Sequence, residues 1–197
     1  MKKPYRERKF YEDMVYILDF LPYGYGLGYI RRYKRAHRGP VAQAIGVSYF
    51  ILLELAPVSG LHLKIGERIS LGGGLEGQII KVTRRLTYDE LTATSKAELP
   101  HILEIIVKSR EKDFVEFFNT APPLTKKMHS LELLRGVGKK VLWRIINERK
   151  KRPFESFEDI KSRVKIDPLK VIVERIIEEL SMPQRHYLFV APYYLRE

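Results

Sequence analysis

Cysteine is missing from all 197 residues. Its absence removes disulfide frameworks, thiolate metal sites, iron–sulfur clusters and cysteine nucleophiles from consideration. A reducing cytoplasm is the expected setting. Long apolar runs are missing as well. The most hydrophobic stretch, 41–53, is interrupted by Gln43 and Ser48 and stops at Glu54, well short of the ~20 residues that cross a bilayer. The basic opening Met1-Lys2-Lys3-Pro4-Tyr5-Arg6 meets Glu12 and Asp13 where an export signal would carry its apolar segment. Neither an export signal nor a membrane partner is expected. Histidine is sparse and scattered: His37, His62, His101, His129 and His186 show no ligand spacing, so no metal and no cofactor is expected.

Acids are also scarce. Lys and Arg number 36 against 24 Asp and Glu, a formal charge of +12, which favours polyanionic partners such as nucleic acid. In the N-terminal half the acidic groupings are Asp13 with Asp19 and Asp89 with Glu90; neighbouring Arg84, Arg85 and Lys9 point to salt bridges rather than to a metal-assisted nuclease centre. No catalytic residue is therefore expected. A hydrophobic fraction of 45% suffices for a packed core.

Short strands are expected at 11–21, 40–46, 49–55, 67–71 and 78–86, separated by Gly and Pro signals. Five strands without a long helix suggest a small OB-like β-barrel over 1–95. The pattern Gly72-Gly73-Gly74-Leu75-Glu76-Gly77 satisfies G-x-G-x-x-G, but a strand rather than a helix is expected after it, so it reads as a turn.

From Lys96 the period becomes helical, with Ile102, Leu103, Ile105 and Ile106, then Phe114, Val115, Phe117 and Phe118. A helix beginning near Thr125 should carry Leu131 and Leu134. After a hairpin, the next helix should bury Val141, Leu142, Ile145 and Ile146. Ser156 is placed to cap a helix, and Asp167-Pro168 opens another whose stripe is Leu169, Ile172, Val173, Ile176, Ile177 and Leu180. The fold class expected is α+β: the barrel, then an all-helical domain over 96–185. A strand at 187–190, within a closing segment 186–197, would rejoin the barrel.

The hairpin itself is Arg135-Gly136-Val137-Gly138-Lys139-Lys140. Two glycines permit a sharp turn with outward amides, and the next helix adds the positive end of its dipole, an arrangement that seats a phosphate without reading a base. Residues 135–152 hold eight cations, Arg144 among them, and one acid, Glu148. The plainer reading is a structural turn whose valine plugs the core.

A second basic stretch interleaves Tyr23, Tyr25, Tyr29 and Tyr33 with Arg31, Arg32, Lys34, Arg35, His37 and Arg38, with no acid from 22 to 43. Rings and cations so mixed hold single-stranded nucleic acid, bases on rings and phosphates on cations. The alternative is half-buried barrel tyrosines beneath solvated cations.

Leu134 to Lys140, with Ile145-Ile146-Asn147-Glu148-Arg149 and Phe154-Glu155-Ser156-Phe157-Glu158-Asp159-Ile160, resembles tandem helix-hairpin-helix domains. The resemblance implies backbone-phosphate binding by Gly136, Val137, Gly138 and Lys139. The second hairpin departs from the motif: Lys165-Ile166-Asp167 stands where a second Gly-x-Gly is expected. Asp167 would repel a phosphate there, leaving Lys165 as a contact. As a whole the chain resembles the archaeal family catalogued as domain of unknown function 655, whose members are described as candidate RNA-binding proteins; that likeness implies an archaeal cytoplasmic protein and favours RNA over DNA. The expectation is a non-enzymatic RNA-binding protein. Its rivals are a DNA-binding protein, a nucleic-acid enzyme using Asp13, Asp19, Asp89 or Asp159, and an assembly factor docking a protein on an apolar barrel patch. A glycosylase role for Asp159 is disfavoured, because Ser156 makes it a first-turn residue.

Overall fold

Extended runs leave backbone amides and carbonyls along their edges that pairing satisfies, and five such runs pair into one antiparallel sheet. In the computed structural model the described residues are 11–58, 60–71 and 80–191; the Gly72 to Gly77 pattern and Lys9 lie outside them. The strands are β1 (Met14–Leu21), β2 (Val41–Gly46), β3 (Leu52–Pro57), β4 (Arg68–Ser70) and β5 (Ile80–Arg85), in the order β4-β1-β2-β3-β5. The helices are α1 (Leu27–Arg32), α2 (Ala93–Ser109), α3 (Glu111–Thr120), α4 (Lys139–Lys151), α5 (Phe157–Val164) and α6 (Pro168–Ser181). The architecture is thus mixed α and β. The chain divides into two compact units, Met1–Leu99 with Pro183–Glu197, and Pro100–Met182.

In the sheet unit every residue of the central strand β2 is buried, Gln43 included. Val15, Ile17, Ala42, Ala44, Leu53, Leu55, Ile69 and Ile80 form one apolar core. Two register shifts interrupt the ladder, between Ile17 and Asp19 in β1 and between Glu54 and Leu55 of β3 where it meets β5. The first lets consecutive Ile17 and Leu18 both be buried. Beside the second, the Thr83 hydroxyl donates to Glu54 Oε1 at 2.6 Å.

The β2–β3 turn is held by a buried carboxylate. Glu12 accepts from the amides of Ser48 and Tyr49 at 2.8 Å and of Ile51 at 3.1 Å. Gly46 leaves the room for it, since a Cβ there would lie 1.9 Å from Glu12 Cδ.

The strand expected at 187–190 is instead a run of bends. Val190 is buried, Ala191 packs on the sheet core, and the Ala191 amide donates to Tyr49 O at 3.1 Å. The segment meets the sheet by packing its side chains rather than by joining the ladder.

In the helical unit the helix expected from Thr125 is only a 3-10 turn at Ser130–Leu133. Pro122 and Pro123 withhold two amides upstream. At the start of the turn His129 Nδ1 accepts from the Leu131 amide at 3.2 Å, and Glu132 accepts from the His129 amide at 2.8 Å. The caps read from the sequence are present: the Asp159 amide donates to Ser156 Oγ at 3.1 Å, and the Lys170 amide to Asp167 Oδ1 at 3.1 Å. The α6 stripe differs from its expected form. Leu169, Ile177 and Leu180 are only half-buried, while Arg175 and Glu179 are buried as a pair at 2.8 Å beside Ile172 and Ile176. One helical turn apart, the two charges neutralise each other and so tolerate the interior.

Replacing Gly46 with alanine should displace the Glu12 carboxylate from its three amides and cost roughly 2–4 kcal/mol of stability, as expected for buried donors stripped of a charged acceptor. Chemical denaturation measures it; a cost below about 0.5 kcal/mol would show that Glu12 is dispensable there.

Candidate anion-binding hairpin

The turn between Leu134 and α4 is set by three residues with different tasks. Gly136 has φ +80°, a left-handed conformation that favours glycine. Val137 is buried, and its amide donates to Leu134 O at 3.0 Å, so the valine pins the turn to the core. Gly138 is the N-cap of α4 and has no side chain with which to cap it. The first amide of α4 to find a helical acceptor is that of Leu142, which donates to Gly138 O at 2.9 Å. The amides of Lys139, Lys140 and Val141 precede the first i−4 carbonyl, so they point along the helix axis with no helical partner. A Cβ built on Gly136 or Gly138 meets nothing within 4 Å. The space before the turn is open, and a cleft of about 690 Å³ adjoins it, walled by Glu132, Arg135, Arg175 and Glu178.

The second turn repeats the backbone and reverses its chemistry. Lys165 has φ +65°, Ile166 is half-buried, and Asp167 is the N-cap of α6. Its carboxylate accepts from the Lys170 amide, and Pro168, with no N–H of its own, holds the first helical position. Lys165 thus stands where Gly136 does, and Asp167 where Gly138 does. The second turn is closed by its own acid; the first is left open.

The cations around the open turn are less available than their number suggests. Lys139 pairs with Glu132 at 2.7 Å. Arg144, expected at the phosphate, donates to Val164 O at 2.9 Å because the C-terminal carbonyls of α5 offer it an acceptor. Arg149 donates to Phe118 O and Ala121 O, Lys151 pairs with Glu148, and Arg152 pairs with Glu155 and Asp159. Arg135, Lys140 and Lys150 are exposed and have no ion pair among the described residues. Lys165 is exposed likewise.

The tyrosine-rich stretch corrects its sequence reading. Tyr25 is buried and stacks on Tyr29 with ring centroids 3.9 Å apart, and Tyr33 lies against Tyr29 at 4.8 Å. The Tyr29 hydroxyl donates to Glu90 O at 2.5 Å and that of Tyr33 to Asp89 O at 3.1 Å. Gln43, buried in β2, donates to the Tyr25 hydroxyl at 3.1 Å and to Glu90 O at 2.9 Å, and accepts from the Thr92 amide. Burial pushes the hydroxyl of Tyr25 well above the usual phenol range and raises that of Tyr29. Tyr25, Tyr29 and Tyr33 therefore pack against one another and are not free for bases, whereas Tyr23 is exposed. The cations Arg31, Arg32, Lys34, Arg35 and Arg38 stay exposed without an ion pair among the described residues, Arg32 lying 5.3 Å over the Tyr33 ring. Sequence gave no sign of Gln43 as the hub, because one glutamine in an apolar strand has no pattern.

Four of the acids have structural work. Arg84 bridges Glu54 at 3.0 Å and also binds Glu90. Asp19 accepts from the Thr92 hydroxyl at 2.7 Å, and Asp159 pairs with Arg163 at 3.0 Å. No three acids or histidines converge in a way that would hold a metal ion among the described residues, and no helix there is long and apolar enough to cross a membrane.

Comparison with known proteins adds kinship without an activity. The profile of a family described as "Protein of unknown function (DUF655)" matches residues 11–191. The chain is 38% identical to the uncharacterized protein MJ0038 of Methanocaldococcus jannaschii over 182 residues, 91% of this chain and 80% of that one. It is also similar to the crystal structure of Af1531 from Archaeoglobus fulgidus, with a TM-score of 0.80 at 47% identity, covering 91% of this chain and all of that one.

The start of the hairpin carries a pH signature. Burial, then the charge of Arg149, holds His129 below its ordinary 6.5, so it remains a neutral acceptor for Leu131. The unfolded chain takes up a proton near 6.5 that the folded chain refuses, so stability should hold above that pH and decline as pH falls below it. Urea unfolding from pH 7.5 to 5 should show the decline, and His129→Asn, a cap that does not titrate, should flatten it; parallel profiles would refute the assignment.

Proposed function

The chain belongs to the DUF655 family, whose archaeal members bring no assigned activity, and we propose that it is a non-enzymatic, cytoplasmic RNA-binding protein that grips backbone phosphates through the Gly136–Gly138 turn. One observation carries the reading: two turns of the same backbone lie in one unit, and the glycine N-cap leaves open what Asp167 closes in the other. Open first-turn amides and a helix dipole suit an anion. Arg135 and Lys140 flank the turn as exposed cations with no ion pair among the described residues, and Lys139 contributes charge that Glu132 partly offsets.

We read the pair of turns as a tandem helix-hairpin-helix whose first member binds and whose second is structural. The exposed Arg31, Arg32, Lys34, Arg35 and Arg38 supply a second phosphate surface on the sheet unit. With Tyr25, Tyr29 and Tyr33 engaged internally, that surface acts through charge. The OB-like reading of the sheet rests on strand number and order. Because β5 runs antiparallel to β3 and β4 antiparallel to β1, the two outer strands run the same way, and no pairing joins them among the described residues. RNA is the polyanion proposed; the family itself assigns none.

Replacing Gly138 with aspartate gives the first turn the chemistry of the second. The variant should match or exceed the parent in stability by a few tenths of a kcal/mol, since aspartate is at least as good an N-cap as glycine. Its affinity for an RNA stem-loop should drop at least about tenfold, because a carboxylate would occupy the amides and repel phosphate. Separately, Arg135→Ala and Lys140→Ala should each reduce the salt slope of binding by about 1. Fluorescence anisotropy across a salt series reads both, and unchanged affinity in the aspartate variant would overturn the proposal.

A further inference from the structure

We propose that the outward face of α4 is a stacking platform for an unpaired nucleotide, with the indole of Trp143 as its seat. The proposal rests on the phosphate-binding reading above and names the class of RNA bound: single-stranded segments rather than uninterrupted duplex. Trp143 is the only tryptophan in the chain, yet it is 58% exposed. An indole left in water forgoes burial that a core position would provide.

Its surroundings indicate what would cover it. Helix α4 buries Leu142 and Ile145, and the opposite side presents Lys140, Trp143, Asn147 and Lys150, all exposed. Spacings of three, four and three residues place these four on one continuous face. No acid interrupts that line, and neither lysine has an ion pair among the described residues. A helical side chain covers the turn before its own Cα, so the indole leans towards Lys139 and Lys140 rather than towards the C-terminus. Along the axis Lys140 and Trp143 are separated by about 4.5 Å, so one nucleotide can reach both.

Charge complementarity selects the occupant. A ring flanked by unpaired cations matches the way single strands are held, with base on ring and phosphate on cation. A protein partner would need an apolar patch depleted of charge, whereas Trp143 is the one large exposed hydrophobic residue of α4. Tyr25, Tyr29 and Tyr33 cannot serve instead, because they pack against one another.

The single tryptophan makes the test direct, because selectively excited indole emission of the full chain reports this face alone. The protein is titrated with an RNA stem-loop bearing an unpaired tail and with a blunt RNA duplex of equal phosphate number. The tailed RNA should quench the emission and the duplex should not. Trp143→Ala should weaken binding of the tailed RNA about tenfold and leave duplex binding unchanged, while Trp143→Phe, which keeps a ring, should retain most of the affinity. Both variants alter an exposed side chain, and circular dichroism confirms folding.

Parental affinity of Trp143→Ala for the tailed RNA, with Gly138→Asp still defective, would overturn this inference and leave the phosphate-binding reading intact. Parental affinity in both variants would overturn both. A copurifying protein that shields Trp143 from a collisional quencher would likewise assign the face to another partner.

Discussion

The first turn of a helix presents amide hydrogens that no residue of that helix can accept, and the helical unit resolves this constraint differently at its two hairpins. At α6 the chain supplies its own acceptor, Asp167, and removes one donor by placing Pro168 first. At α4 it supplies neither, since Gly138 has no side chain. Everything else at the turn supports that open end. Gly136 permits the left-handed step, Val137 holds the turn against the core, and Glu132 with His129 secures the approach. The cations that rank as neighbours in sequence are sorted by the same need: Arg144 and Arg149 are drawn to helix-end and loop carbonyls, leaving Arg135 and Lys140 free.

The sheet unit is governed by buried polar groups that must find partners. Glu12 organises the β2–β3 turn, Gln43 joins the tyrosine stack to the segment 90–92, and Glu54 and Glu90 neutralise Arg84. These networks explain why a stretch so rich in tyrosine and arginine presents its cations and Tyr23 while it turns Tyr25 and Tyr29 inward. Tyr25 and Tyr29 hydroxyls lie within reach of an amide and a carbonyl inside the fold, so packing them inward leaves few polar atoms unmatched. The cations, which have no such partners among the described residues, remain in solvent.

Strand positions were legible because alternation and Gly/Pro punctuation are local properties, and each of the five strands overlaps the run that foretold it. The Ser156 and Asp167 caps were legible for the same reason: a cap bonds within three residues of itself. The extra helix near Thr125 was misread because apolar spacing alone does not register Pro122, Pro123 and the His129 cap. The terminal strand at 187–190 was misread because an apolar run does not say whether its backbone will pair or bend. Trp143 drew no notice because its role depends on which side of α4 faces solvent.

Composition and short-range pattern alone determined the net positive charge, the absence of thiol chemistry, the five strands of the sheet, and a glycine-bearing hairpin among cations. These follow from residue identity and from spacings of a few positions, where backbone geometry allows little choice. Tertiary structure alone decided which of those cations stay unpaired, which rings face inward, and that one hairpin closes on itself while its counterpart stays open. Those outcomes depend on donors and acceptors brought together from distant parts of the chain, such as Gln43 with Glu90 or Arg149 with Phe118, and no local pattern encodes them.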